Sequence, residues 1–217
     1  MPRTAPAGHL AAPPTGKGSP ILVLHAWWGL NNTMKNFCTR LADSGFVVFA
    51  PDLFHGKIAD NIANAETLAR AHDGKQAQAD VADAAKFLIE RAGEANRGIA
   101  VVGFSFGAYY ALDLSVSDPK NIRSVVVFYG TGPTDFNGSK AAYLGHFAEN
   151  DEFEPPSEVD KLEAAVQDAG RPVEFHRYPA TEHWFFEPDR PQFNKAAADL
   201  AWDRTLAFLK RQADADD

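Results

Sequence analysis

Ile99-Ala100-Val101-Val102-Gly103-Phe104-Ser105-Phe106-Gly107-Ala108 is the stretch whose reading decides the rest of the chain. Its first four residues form an unbroken apolar run, the pattern of a parallel strand buried on both faces. The pattern G-x-S-x-G follows at Gly103 to Gly107, and a helix is expected from Ala108 to Val116. A strand that passes straight into a helix through so short a turn forces its central residue into a strained backbone conformation. The neighbours two positions away must then be small, or their side chains would strike the adjoining strand and helix. Glycine stands at both positions. The turn lifts the Ser105 hydroxyl clear of the sheet at a helix N-terminus, whose partial positive charge favours a developing oxyanion.

Outward from this segment, strands alternate with helices. Ile21–Leu24, Phe46–Ala50, Ser124–Phe128, Ala142–Phe147 and Val173–Tyr178 read as further strands. Asn32–Asp43, Ala77–Arg91, Ser157–Ala169 and Ala196–Arg211 carry the i, i+3, i+4 stripe of amphipathic helices, with Ser157 and Asp160 placed as a capping pair. The alternation predicts an α/β fold, a mostly parallel sheet with helices on both faces. Residues 1–20 hold five of the 14 prolines and three of the 16 glycines, so they are expected to be loosely ordered, with Gly8–Ala12 as a candidate edge strand. Residues 21–211 form the single expected domain, and 212–217 an expected frayed tail.

Composition narrows the function classes. The longest apolar runs fall well short of the roughly 18 residues that cross a bilayer, and the N-terminus lacks the apolar core of a secretion signal. One cysteine excludes an internal disulfide and a thiolate-rich metal cluster. Against 29 acidic side chains stand 21 basic ones, with no Lys/Arg run, which argues against a nucleic-acid partner. A soluble, cytoplasmic enzyme or binding domain is the expectation.

A serine hydroxyl needs a base. In an architecture of this kind the acid and then the histidine follow the serine, each on a loop after a strand. His9, His25, His55 and His72 precede Ser105, while His146 and His176 fall inside strands. His183, in the loop after Tyr178, has both the order and the placement of the base. The acid is less sharply defined: Glu149, Asp151, Glu152 and Glu154 share one loop, and Asp135 follows an earlier strand.

The separated motifs together resemble the dienelactone hydrolase family of α/β-hydrolases, from about Ala7 to Phe208. They are Leu24-His25-Ala26-Trp27-Trp28-Gly29-Leu30-Asn31, Ala50-Pro51-Asp52-Leu53-Phe54-His55-Gly56, the Ser105 turn, Gly145-His146-Phe147 with Asp151-Glu152-Phe153, and His183-Trp184-Phe185-Phe186. The resemblance implies an α/β-hydrolase fold with no separate lid domain. It places the acid on Asp151, the base on His183 and the oxyanion-binding N–H groups on Trp27 and Phe106. It implies no metal and no cofactor. The family's best-known members carry cysteine at the elbow and glutamate where Ala26 stands; serine and alanine here fit a serine mechanism instead. Cys38 falls on the apolar stripe of the first helix and reads as core packing. Glu187 replaces an arginine that holds the substrate carboxylate in enzymes acting on dienelactone, which points away from an anionic substrate.

The expected activity is hydrolysis of small esters or lactones through an acyl-enzyme. Trp28, Phe104, Trp184 and Phe186 are the candidate pocket residues. A thioesterase or peptidase using the same triad, and a non-catalytic binding protein on a hydrolase scaffold, are the competing readings.

Overall fold

The computed structural model describes residues 6–92 and 98–214. Its elements in chain order are β1 (Gly8–Ala11), β2 (Pro20–Leu24), α1 (Asn32–Asp43), β3 (Val47–Pro51), α2 (Ile62–Ala71), α3 (Gly74–Ala92), β4 (Ile99–Phe104), α4 (Phe106–Ser117), β5 (Ile122–Phe128), β6 (Ala142–Asn150), α5 (Pro156–Asp168), β7 (Val173–Glu182) and α6 (Lys195–Asp214). Seven strands form one sheet in the order β1-β3-β2-β4-β5-β6-β7, parallel throughout except for β1, which pairs antiparallel with β3.

The unbroken apolar runs are explained by burial on both faces. In β2, Ile21 and Val23 point into the layer that holds Phe37, Leu41 and Phe208 of α1 and α6. Leu22 and Leu24 point into the opposite layer, with Val81, Leu88 and Leu112 of α3 and α4. Cys38 lies in the first layer, and burial pushes its thiol up to about 12, so it stays a neutral packing group. The chain leaves β2 for β3 on one side and returns past β2 to β4 on the other. The crevice at such a reversal opens at the carboxyl ends of the strands, and Leu24 and Phe104 end there.

Several boundaries differ from the sequence reading. The first 20 residues include β1 and the start of β2, while residues 1–5 lie outside the described part. Helix α2 gave no usable signal, because only Ala65 of its ten residues is buried; the Asn61 side chain caps it by accepting from the Asn64 N–H at 2.9 Å. Helix α5 starts one turn-fraction earlier than expected, with Pro155 at the N-cap position and no side-chain cap, so Ser157 and Asp160 do not form the expected pair. Helix α6 continues through residue 214, beyond the expected start of the tail; residues 215–217 are outside the described part.

The largest difference concerns β6 and β7, each longer at its carboxyl end than the apolar pattern indicates. They stay paired through a register shift between Ala148 and Asn150 and end on the pair Asn150–Glu182. Pro179 is accommodated because β7 is the outer strand, and Glu149 Oε2 accepts the Ala180 N–H at 2.8 Å across the irregularity.

Phe37 sits at the centre of one layer, its ring 5.0–6.4 Å from those of Phe104, Phe128, Phe186 and Trp202. Phe37→Ala is expected to cost about 3–5 kcal/mol by opening a cavity there. The check is a lowered urea midpoint with an unchanged denaturant slope.

Candidate active site

Ser105 occupies the turn between β4 and α4 at φ 48° and ψ −113°, a conformation that L-residues rarely adopt. Its N–H donates to the Phe128 carbonyl at 2.9 Å, and its carbonyl accepts from Ala108 N–H at 2.8 Å. The flanking glycines are required by contact. A Cβ on Gly107 would fall on the carbonyl oxygen of Leu24 at the end of β2, and one on Gly103 would lie 2.6 Å from Ala108 Cα. Gly130 is constrained in the same way, since its Cβ would approach the Ser105 carbonyl oxygen to 2.6 Å.

Ser105, His183 and Asp151 are brought together. Ser105 Oγ lies 2.8 Å from His183 Nε2, and His183 Nδ1 lies 2.8–2.9 Å from both carboxylate oxygens of Asp151. Facing a carboxylate, Nδ1 is the protonated nitrogen; Nε2 then accepts from the serine hydroxyl. Asp151 Oδ1 also accepts the N–H groups of Phe153 and Glu154, each at 2.9 Å. The Asp151 and His183 side chains are almost wholly buried, whereas Ser105 is half-buried. The other carboxylates are engaged elsewhere or turned outward: Glu149 holds Ala180, Glu154 accepts from the Thr131 hydroxyl at 2.8 Å, Asp135 caps its own turn at Asn137, and Glu152 is exposed.

The loop after β2 is fixed by His25, which is buried. Its Nδ1 donates to the Ala26 carbonyl at 2.7 Å, and its Nε2 accepts the Leu53 N–H at 3.1 Å. Burial lowers its basicity, which keeps it in this neutral form. Trp27 N–H donates to no backbone carbonyl among the described residues. Phe106 opens α4, where a helix N–H has no carbonyl one turn back. Neither N–H is taken by a backbone carbonyl among the described residues.

The four expected pocket residues divide. Phe104 and Phe186 are core residues: Phe104 stacks on Phe128 at 4.6 Å under the site, and Phe186 faces a separate small cavity beside Met34 and Arg40. Trp184 lines a cleft of about 440 Å³ with His183, Asp151, Phe153, Ile62 and Gln192. Trp28 and Trp184 share an adjoining cavity of about 290 Å³.

The support behind His183 left no mark in the sequence pattern. The Tyr129 ring packs 4.9 Å from the imidazole, and its hydroxyl donates to Glu187 Oε1 at 2.8 Å. Glu187 is fully buried, and burial raises its carboxyl to about 8. Tyr129 has φ 38°, which a proximity argument from sequence cannot anticipate.

The parallel sheet, the strand-turn-helix serine and the histidine loop define an α/β-hydrolase. The sequence profile of the dienelactone hydrolase family matches residues 7–213, and the chain belongs to that family of carboxylic ester hydrolases. Protein usf of Aquifex pyrophilus is 32% identical over 215 residues, covering 94% of this chain and 92% of that one. An Aquifex aeolicus protein provisionally named carboxymethylenebutenolidase is 28% identical, with the same two coverages. Among solved structures, one from Klebsiella pneumoniae subsp. pneumoniae MGH 78578, provisionally named dienelactone hydrolase, superposes with a TM-score of 0.83 at 22% identity, covering 94% of this chain and 92% of that chain.

Glu187 stays protonated in the folded chain up to about pH 8, whereas an unfolded glutamate ionises near about 4.3. Between these values the folded state holds the extra proton, so this residue's contribution to stability is fully present below the lower value. It declines as pH rises and is lost above about 8. Glu187→Gln, which keeps an acceptor for Tyr129, is expected to gain on the wild type by on the order of 2–5 kcal/mol between pH 4.5 and 8. Urea denaturation of both proteins at the two pH values checks this.

Proposed function

We propose that Ser105 is the nucleophile of a serine esterase or lactonase, with His183 as general base and Asp151 as its orienting acid. The hydrogen bond between Ser105 Oγ and His183 Nε2 carries the reading. In this mechanism His183 takes the hydroxyl proton as Oγ attacks the ester carbonyl. The N–H groups of Trp27 and Phe106 stabilise the oxyanion of the tetrahedral intermediate. His183 returns the proton to the departing alcohol oxygen, leaving an acyl group on Ser105. Water, deprotonated by the same nitrogen, attacks this acyl-enzyme and releases the acid. With a lactone the alcohol stays tethered, so the product is a single hydroxy acid. Asp151 holds the ring in one tautomer and stabilises the imidazolium in both halves.

The substrate is a small neutral ester or lactone. Glu149, Glu152 and Glu182 border the cleft beside His183, no Lys or Arg lines it, and none of the three has an ion-pair partner among the described residues. Some relatives are named for carboxylate-bearing lactones, among them a Bradyrhizobium protein provisionally named 2-oxo-3-(5-oxofuran-2-ylidene)propanoate lactonase. The acidic border separates this chain from that preference.

Labelling with a fluorophosphonate is expected to give one adduct, on Ser105. Ser105→Ala is expected to lower kcat for p-nitrophenyl acetate by about 10³-fold or more. An adduct elsewhere, or unchanged turnover in the variant, would remove the reading. Charge selection has its own measurement. At low salt, p-nitrophenyl butyrate should exceed p-nitrophenyl hemisuccinate in kcat/KM by about tenfold, and the ratio should narrow in about 0.5 M salt.

A further inference from the structure

The cleft of about 440 Å³ reaches His183 and Asp151, but Ser105, Trp27 and Phe106 are not among its lining residues. One exposed ring belongs to both places. Phe153 lines the cleft, and its ring also packs 5.0 Å from His183, 5.6 Å from Trp27 and 5.0 Å from Trp184. His183 is the proposed base and Trp27 carries a proposed oxyanion-binding N–H, so the ring touches two residues of the proposed machinery. The Phe153 side chain is 44% exposed, which makes it a wall of the site and not part of the core. Its backbone is firmly placed: the Asp151 carboxylate accepts the N–H groups of Phe153 and Glu154, and Glu154 in turn accepts from the Thr131 hydroxyl. The backbone at position 153 is thus held in place, while the ring it carries touches both the cleft and His183.

We propose that Phe153 is a specificity-determining residue: its ring partitions Ser105 from a preformed subsite for the longer alkyl or aryl part of an ester. The inference rests on Ser105 being the nucleophile. The subsite lies within the range of about 300–1,000 Å³ typical of small-molecule sites, and it is bordered by apolar surface from Ile62, Phe153, Pro156 and Trp184. With phenylalanine in place the enzyme favours short acyl groups. Shortening the side chain joins the cleft to the nucleophile and admits longer ones.

The experiment compares kcat/KM for p-nitrophenyl acetate and octanoate in the wild type, Phe153→Ala and Phe153→Leu. Burial of two further methylenes is worth about tenfold, so the octanoate-to-acetate ratio is expected to rise about tenfold or more in Phe153→Ala and by less in Phe153→Leu. The gain should appear chiefly in KM for octanoate. A uniform loss of kcat across both esters would mean that Phe153 only supports the fold of the site, and an unchanged ratio would mean that it is no partition; either result overturns the proposal. Octan-1-ol titrated against tryptophan fluorescence gives a reading that needs no turnover. Tighter binding to Phe153→Ala than to wild type supports the partition, and equal binding overturns it. If Ser105 takes no fluorophosphonate, the nucleophile assignment fails on that result alone, while the alcohol titration still decides whether the ring closes the cleft.

Discussion

The last hydrogen-bonded step between β6 and β7 governs the geometry of the site, because parallel strands that end on the pair Asn150–Glu182 deliver the next residue of each, Asp151 and His183, side by side. Without the irregularity near Ala148 and Asn150, the two chains would leave the sheet in a different register. A single-residue slip reverses which way every following side chain points. Glu149 accepting the Ala180 N–H holds the break in place, and Ala180 itself has φ 53°. The short Asp151–His183 contact thus follows from strand pairing, not from the flexibility of two loops.

A second close approach fixes the serine against this pair. Gly107 is pressed onto the end of β2 at Leu24, so the turn carrying Ser105 cannot move without moving the strand. The same contact brings the loop after β2, with Trp27, up to the N-terminus of α4. His25 then locks that loop to Leu53 through a neutral ring buried from solvent. Trp27 and Ser105 follow the ends of β2 and β4, the two strands beside the reversal of the sheet, and His183 reaches Ser105 from the end of β7, the outer strand. The reversal is the region where an open parallel sheet leaves room for a ligand.

The order of strands and helices was legible because the inner strands are buried on both faces and write their burial as apolar runs: Ile99–Val102 and Ile21–Leu24 needed no other signal. Ser105 was legible because steric demand for two glycines leaves a mark in sequence. The acid was not legible from residues alone, since Glu149, Asp151, Glu152 and Glu154 are equivalent until the register of β7 is known. Helix α2 left little trace because it is half a surface element, with Ala65 its one buried residue. Phe104 and Phe186 were misplaced for a related reason. Nearness to Ser105 and His183 in sequence says nothing about which face of a strand or turn a ring occupies, and both rings face the core layer beneath the sheet.

The Tyr129–Glu187 pair shows how a departure from the family pattern is absorbed. The carboxyl at position 187 is shut off from solvent and has no bridging cation among the described residues; it is kept neutral by burial and receives the Tyr129 hydroxyl. It therefore acts as a packing and hydrogen-bonding group behind His183, in a place where an arginine would have brought positive charge. The Arg190 guanidinium, whose charge acts on Glu187, is already engaged, pairing with Asp189 at 2.8 Å and lying 4.2 Å over the Trp28 ring. An anionic substrate would thus meet the carboxylates of Glu149, Glu152 and Glu182 at the mouth and find no uncommitted cation among the lining residues of the cleft. Under the proposed mechanism this makes substrate charge a property of the walls, while the chemistry at Ser105 remains common to esters and lactones alike.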